Sequence, residues 1–368
     1  MPAELEDVLP PGIESRQVET AQGLSVHYLE AGRTDDPVLL LLHGFPELAF
    51  SWRKVMPALA ASGYRVIAPD QRGYGRTTGW AAGYEVDLEP YRMPSLVLDQ
   101  LALLSALDIA QVYGVVGHDF GSPVAAWCAL IRPDLFGRVV MMSAPFGGPP
   151  GFGGGARHAI DDLLGELPVP RKHYQWYYAT EPAEADMLSC EQGLKTFLAG
   201  YYYLKSGLWA ANDPQPLAGW NAQSLARMPN YYVLPLASTM AEAVAQDCQG
   251  EDLGRLHEWL TDSALDVYCA EFSRTGFQGG LNWYRASTSP EENRPLRLFA
   301  GTRIQVPAAF IAGDRDWGIY QTPGVLAAMA ERACTDFRGQ HLISGAGHWV
   351  QQEAPEELAD LLIRFMRS

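Results

Sequence analysis

One turn limits what this chain can be. Val115, Val116, Gly117, His118, Asp119, Phe120, Gly121 and Ser122 place an aspartate on a glycine-flanked turn between an apolar strand and a helix. A sharp strand-to-helix elbow holds strained torsions and leaves no room for a Cβ on either side, which glycine at 117 and 121 supplies. The residue at the apex selects the reaction class. A serine there makes an acyl ester, whereas a carboxylate attacks a saturated carbon and makes an alkyl ester. Gly-x-Asp-x-Gly also fits an ordinary loop, so the rest of the chain has to choose between the two readings.

The rest of the chain reads as strands alternating with helices. Val38 to Leu42 and Arg65 to Ala68 are short apolar runs that stop at His43-Gly44-Phe45-Pro46 and at Pro69-Asp70-Gln71-Arg72-Gly73. Both read as buried strands ending in loops. Helical spacing covers Trp52 to Ala61 and about Ser95 to Leu107, and strands follow at Val112 to Val116 and Val139 to Ser143. The pattern resumes with Ala308 to Ala312, a helix around Val325 to Arg332, His341 to Ser344, and a last helix from Pro355 with Leu358, Leu361, Leu362 and Phe365 on one face. This alternation predicts an α/β fold with a mostly parallel sheet covered by helices on both faces. The rhythm fails between Phe146 and about Leu298, where a Gly/Pro-rich stretch, Gly147 to Gly155, leads into aromatic segments such as Tyr174 to Tyr178 and Tyr201 to Leu208. The expected organisation is a core over residues 1–146, an inserted helical cap over 147–303, and the remainder of the core over 304–368.

Composition removes several classes of function. A chain of 368 residues with 48% hydrophobic content can bury a large core, and its net charge of −16 opposes nucleic acid and anionic membrane surfaces. The five cysteines are scattered and never form Cys-x-x-Cys, which points to free thiols in a reducing compartment. The opening residues hold Glu4, Glu6, Asp7 and Pro10-Pro11 without a basic or apolar leader pattern, and no apolar run has membrane-spanning length. The expectation is a soluble cytoplasmic protein. The long cap, including Asn212 to Gly250, also allows a subunit contact and hence a homodimer.

An alkyl ester on Asp119 must be hydrolysed, so a base has to activate water. His348, in Ser344-Gly345-Ala346-Gly347-His348-Trp349 directly after the last strand, is the candidate. A base histidine needs an acid to hold its tautomer and stabilise the imidazolium. Ala312-Gly313-Asp314-Arg315-Asp316 offers two aspartates. Asp316 is preferred for its Gly-x-x-Asp spacing, while Asp314 could pair with Arg315 or solvent. The alternative site for an acid, after the strand that starts at Val139, reads Ser143-Ala144-Pro145 and has no carboxylate. His43 and His118 sit in motif turns, where hydrogen bonding to loop backbone is the expected role. No metal site or phosphate loop is visible, so no cofactor is expected beyond water.

The order nucleophile, acid, histidine in these contexts resembles the α/β-hydrolase superfamily over essentially the whole chain. Three motifs narrow it: His43-Gly44-Phe45-Pro46-Glu47, Gly117-His118-Asp119-Phe120-Gly121 and Gly347-His348-Trp349-Val350-Gln351-Gln352-Glu353 look like the oxyanion loop, nucleophile elbow and histidine loop of epoxide hydrolases. The resemblance implies an α/β-hydrolase fold and conversion of a small epoxide to a vicinal diol. It assigns the amides of Phe45 and Phe120 to an oxyanion hole. It also implies two cap tyrosines as acid donors. Tyr284 in Gly279-Gly280-Leu281-Asn282-Trp283-Tyr284-Arg285 matches one motif closely, and Tyr174-Gln175-Trp176-Tyr177-Tyr178 matches the other, with Tyr177 in the best register and Tyr178 as the fallback. Pro46, Trp176 and Trp283, from the same motifs, are the implied substrate-contacting residues. Many members have tryptophan after the nucleophile, where this chain has Phe120. Haloalkane or haloacetate dehalogenation and non-catalytic ligand binding are the competing readings. Dehalogenases of the first kind carry halide-binding side chains at the positions of Phe45 and Phe120, and those of the second follow the aspartate with arginines.

Overall fold

The computed structural model describes residues 5–152 and 160–368. The end of the Gly147 to Gly155 stretch, residues 153–155, lies outside the described residues. The apolar runs become the middle of one sheet. Its strands are β1 (Ile13–Glu19), β2 (Ser25–Ala31), β3 (Val38–Leu42), β4 (Arg65–Pro69), β5 (Gly114–His118) and β6 (Val139–Met142), then β9 (Ala308–Gly313) and β10 (Phe337–Ile343). Between the two groups, β7 (Arg171–His173) and β8 (Val233–Pro235) pair only with each other. The sheet order is β1-β2-β4-β3-β5-β6-β9-β10, antiparallel at β1/β2 and β2/β4 and parallel from β4 onward. Strands β3, β4, β5, β6 and β9 are buried along their whole length, as a parallel sheet covered on both faces requires.

The remaining differences from sequence have local causes. Both outer strands lack a continuous apolar run. β1 exposes most of its side chains and is held by its ladder with β2, while β10 starts at Phe337, four residues before the apolar signal, with polar residues along an irregular register. The helix read from Trp52 begins at Met56, because Pro57 fits the first turn, where its missing N–H is harmless; a 3₁₀ turn, Ala49–Trp52, precedes it. Val112 makes only an isolated bridge to Phe136, and the β5 ladder starts at Gly114. The helix at Val325 widens into a π turn over Met329–Ala333.

Among the described residues, the chain between β6 and β9 adds no strand to the main sheet. It contains helices Tyr174–Tyr178, Ala183–Leu188, Leu194–Lys205, Asp262–Thr275 and Gln278–Thr288. This insertion is tied down by polar bonds onto core loops: Tyr202 Oη donates to the Pro46 carbonyl at 2.6 Å, and Trp283 Nε1 donates to the Arg72 carbonyl at 3.0 Å. Parallel strands send all their carboxyl ends to one edge. The loops after β3, β5, β6, β9 and β10 therefore meet beneath the insertion, where ligands bind in open α/β sheets. No described helix is long and apolar enough to cross a membrane.

Candidate active site

The elbow after β5 has the shape its glycines predict. Asp119 adopts φ +51, a left-handed conformation that a non-glycine residue keeps only when its surroundings over-determine it. A Cβ on Gly117 would lie 2.0 Å from the Gly121 carbonyl oxygen, and one on Gly121 would lie 2.3 Å from that of Leu42. The Gly44 position is equally tight, since a Cβ there would sit 2.5 Å from Asp119 Oδ1. That close approach lets the Phe45 N–H donate to Asp119 Oδ1 at 3.0 Å. Phe120 is the residue from which helix Gly121–Ile131 starts, so its amide belongs to the same turn.

His348 stands between two carboxylates. Its Nε2 is 3.4 Å from Asp119 Oδ2 and its Nδ1 is 3.1 Å from Asp316 Oδ1. All three side chains are buried. Asp316 Oδ1 also accepts the Gly318 N–H at 2.7 Å, whereas Asp314 turns outward and accepts the Gly345 N–H at 2.8 Å. The position of His348 is fixed from both layers. Its N–H donates to the Lys205 carbonyl at 2.8 Å, and its own carbonyl lies 2.7 Å from Nε2 of His118, whose Nδ1 is 2.7 Å from Glu47 Oε2. His118 thus has a loop-backbone bond, with a buried carboxylate behind it. His43 donates from Nδ1 to the Gly44 carbonyl and accepts the Gln71 N–H at Nε2, so it too braces a loop.

The electrostatics favour an ionised Asp119. Burial works to raise the Asp119 pKa, but the hydrogen bond and charge of His348, with Lys205 and His118, hold it well below the usual carboxylate range. Burial likewise opposes ionisation of Asp316, and His348 and Ser143 more than offset it. For His348, burial and Lys205 push the pKa down while Asp316 and Asp119 push it up, with a net rise above 6.5. Glu353 Oε2 accepts the N–H groups of Gly207 and Gly347, and its Oε1 accepts that of Trp349, which clasps the histidine loop to the insertion.

Ser143 was not apparent as a site residue from the missing carboxylate after β6. Its hydroxyl lies 2.8 Å from His348 Nδ1, and its backbone is in the left-handed region at φ +66. A small polar residue at the place where an acid was sought is the signal that marks it.

The two tyrosine motifs behave differently. Tyr284 is buried, packs edge-on to Phe45 and Phe120 with centroids 5.5 and 5.2 Å away, and its hydroxyl makes no hydrogen bond among the described residues. Burial, then the Asp119 charge, raises its pKa well above 10. Tyr177 is not brought to Asp119. Its hydroxyl donates to Asp186 at 2.8 Å and its ring lies under the Lys172 ammonium, 4.7 Å from the centroid. Tyr178 gives its hydroxyl to Tyr201 at 3.3 Å. The tyrosine of that motif on which the Asp119 charge acts is Tyr174. Its pKa is raised well above 10 by burial and then by Asp119, and its ring lies 5.9 Å from that of Tyr284. Tyr174 Oη donates to Gln321 Oε1 at 2.7 Å and accepts from Gln175 Nε2 at 3.1 Å. Among the other expected contacts, Pro46 takes the Tyr202 hydroxyl, and Trp283 packs on Phe120 at 5.2 Å with its N–H committed to Arg72. Trp176 packs edge-on against His173 at 5.1 Å.

The chain is similar to known proteins over most of its length. The α/β hydrolase fold family model matches residues 37–355. Epoxide hydrolase B of Mycobacterium tuberculosis is 36% identical over 360 residues, covering 95% of this chain and 97% of that protein. Epoxide hydrolase A of the same organism is 33% identical over 367 residues, covering 96% and 98%. Among solved structures, an epoxide hydrolase from an endophytic Streptomyces superposes with a TM-score of 0.79 at 33% identity, covering 97% of this chain and 96% of that one.

Proposed function

The chain belongs to the epoxide hydrolases of the α/β hydrolase fold, and on that premise we propose that it converts an epoxide and water to a vicinal diol through an ester on Asp119. Oδ1 of Asp119 is held by the Phe45 amide, which leaves Oδ2 as the attacking oxygen. As Oδ2 bonds to an oxirane carbon, the C–O bond breaks and the ring oxygen takes a proton from Tyr174 or Tyr284. A phenol with a raised pKa stays protonated at neutral pH and can donate at that moment. His348, with Asp316 and Ser143 on its Nδ1, then removes a proton from water. The resulting hydroxide attacks the ester carbonyl and the oxyanion is met by the amides of Phe45 and Phe120; on collapse the departing alkoxide takes the proton of the added hydroxyl, which releases the diol and regenerates the carboxylate, while the proton held by His348 returns to the tyrosinate. We take residues 147–303 as the cap that closes over this chemistry.

The observation that carries the reading is His348 set between Asp119 and Asp316, 3.4 and 3.1 Å from them, with the buried Tyr284 ring packed edge-on to Phe45 and Phe120 beside the elbow. Halide departure is poorly served, because the phenylalanine side chains at 45 and 120 have no N–H and Trp283 spends its own on Arg72. Incubation with styrene oxide, 1-haloalkanes and haloacetate at equal concentration tests it. Diol should form with little or no halide, and comparable or greater halide release would overturn the assignment.

A further inference from the structure

Lys205 ends the helix Leu194–Lys205 and is 3% exposed, yet among the described residues no hydrogen bond or ion pair reaches its ammonium. A buried charge with no direct ion-pair or hydrogen-bond partner is costly to desolvate. Here the nearest compensation is aromatic: the ammonium lies 5.1 Å from the Tyr232 ring centroid and 5.2 Å from those of Tyr201 and Trp349. Cation–π attraction offsets part of the cost. A methionine would fill the same cage without that cost, so packing alone does not account for a lysine. The side chain also has no share in holding His348, because that task falls to the Lys205 backbone carbonyl.

The cage is continuous with the reacting groups. Trp349 packs on the His348 imidazole at 4.5 Å, and Tyr232 packs on Tyr174 at 5.1 Å. The ammonium is close enough that its charge lowers the proton affinity of both Asp119 and His348. A substrate whose oxirane sits between Asp119 and the two tyrosines would therefore have a free cation near its ring. We propose that Lys205 selects epoxides bearing a carboxylate within a few bonds of the oxirane, its ammonium pairing with that carboxylate in the bound substrate. The inference rests on the epoxide hydrolase reading and adds a substrate class to it.

Two epoxides that differ only at the proposed contact make the test: trans-3-phenylglycidate, with a carboxylate, and trans-β-methylstyrene oxide, with a methyl in its place. The quantity read is the ratio of their kcat/KM values, and its change between variants cancels their intrinsic reactivities. Lys205→Met should lower the ratio roughly 10- to 100-fold, the range of a charge-assisted hydrogen bond, and Lys205→Arg should restore most of it. The unmodified protein gives a second reading. Cinnamate should inhibit hydrolysis of the neutral epoxide at least tenfold more strongly than cinnamamide. An unchanged ratio in Lys205→Met, or equal inhibition by the acid and the amide, would overturn the inference and leave Lys205 as a distant positive charge that favours ionised Asp119. Diol from the methyl epoxide together with either of those results rejects only the role of Lys205. No diol from either epoxide rejects the hydrolase reading beneath it.

Discussion

Replacing Tyr174 and Tyr177 separately with phenylalanine discriminates between two registers of one short helix. Both substitutions keep the ring and remove one hydroxyl, so packing is held nearly constant. Tyr174 has its hydroxyl in the field of Asp119, whereas Tyr177 spends its hydroxyl on Asp186. A positioned general acid is worth about 10² to 10⁴ in rate, but two donors share the load here. Tyr174→Phe should therefore slow alkylation by about 10- to 100-fold, or roughly 1.4 to 2.7 kcal/mol of barrier. Tyr284→Phe should cost more, since the Tyr284 hydroxyl has no competing acceptor while that of Tyr174 already donates to Gln321. The double variant should lose more than about 10³. Tyr177→Phe should leave alkylation within about twofold and lower unfolding free energy by about 1 kcal/mol, because Asp186 loses a donor. Pre-steady-state stopped flow, following tryptophan fluorescence with excess styrene oxide, reads the alkylation rate, and urea unfolding reads the stability. A Tyr177→Phe enzyme slowed by 10² or more beside a Tyr174→Phe enzyme at the parent rate would refute the assignment.

Three further outcomes follow from the geometry. His348→Gln should slow ester hydrolysis more than alkylation, so intact mass after mixing with epoxide should rise by one substrate mass on a peptide containing Asp119; no adduct, with Asp119→Asn still fully active, would reject the covalent route. Ser143→Ala removes one partner of His348 Nδ1 while Asp316 remains, so single-turnover hydrolysis should fall about fivefold, the worth of one neutral hydrogen bond, and an unchanged rate would mean that Asp316 orients the ring alone. In the free protein, His348 should titrate above 6.5 by NMR because Asp316 and Asp119 outweigh burial and Lys205, and Asp119→Asn should lower that value. Ester formation removes the same charge, so hydrolysis should lose rate only as pH falls through this lower value, where the imidazole becomes protonated. A value below 6.5 in the parent would contradict the balance of charges.

Much of this protein is written locally. The buried strands β3 to β6 and β9 are legible because a covered parallel sheet demands short, wholly apolar runs. The elbow at Asp119 is legible because its left-handed apex excludes a Cβ on either side, and Gly313-x-x-Asp316 distinguishes the buried acid from Asp314. These signals depend on torsion and burial within a few residues. The remaining features depend on contacts between segments distant in sequence. Tyr174, Tyr177 and Tyr178 offer the same hydroxyl on one five-residue helix; docking against Gln278–Thr288 brings the rings of both Tyr174 and Tyr178 to Tyr284, at 5.9 and 5.1 Å, and it is Tyr174 whose hydroxyl the Asp119 charge acts on. Ser143 becomes a partner of His348 across 205 residues because β6 and β10 flank β9 and deliver their loops to the same edge. The Lys205 carbonyl reaches the His348 N–H, and its ammonium enters a ring cage, only once the insertion has packed onto the core. Side-chain chemistry can be read residue by residue, but the direction in which each group points is set by that packing.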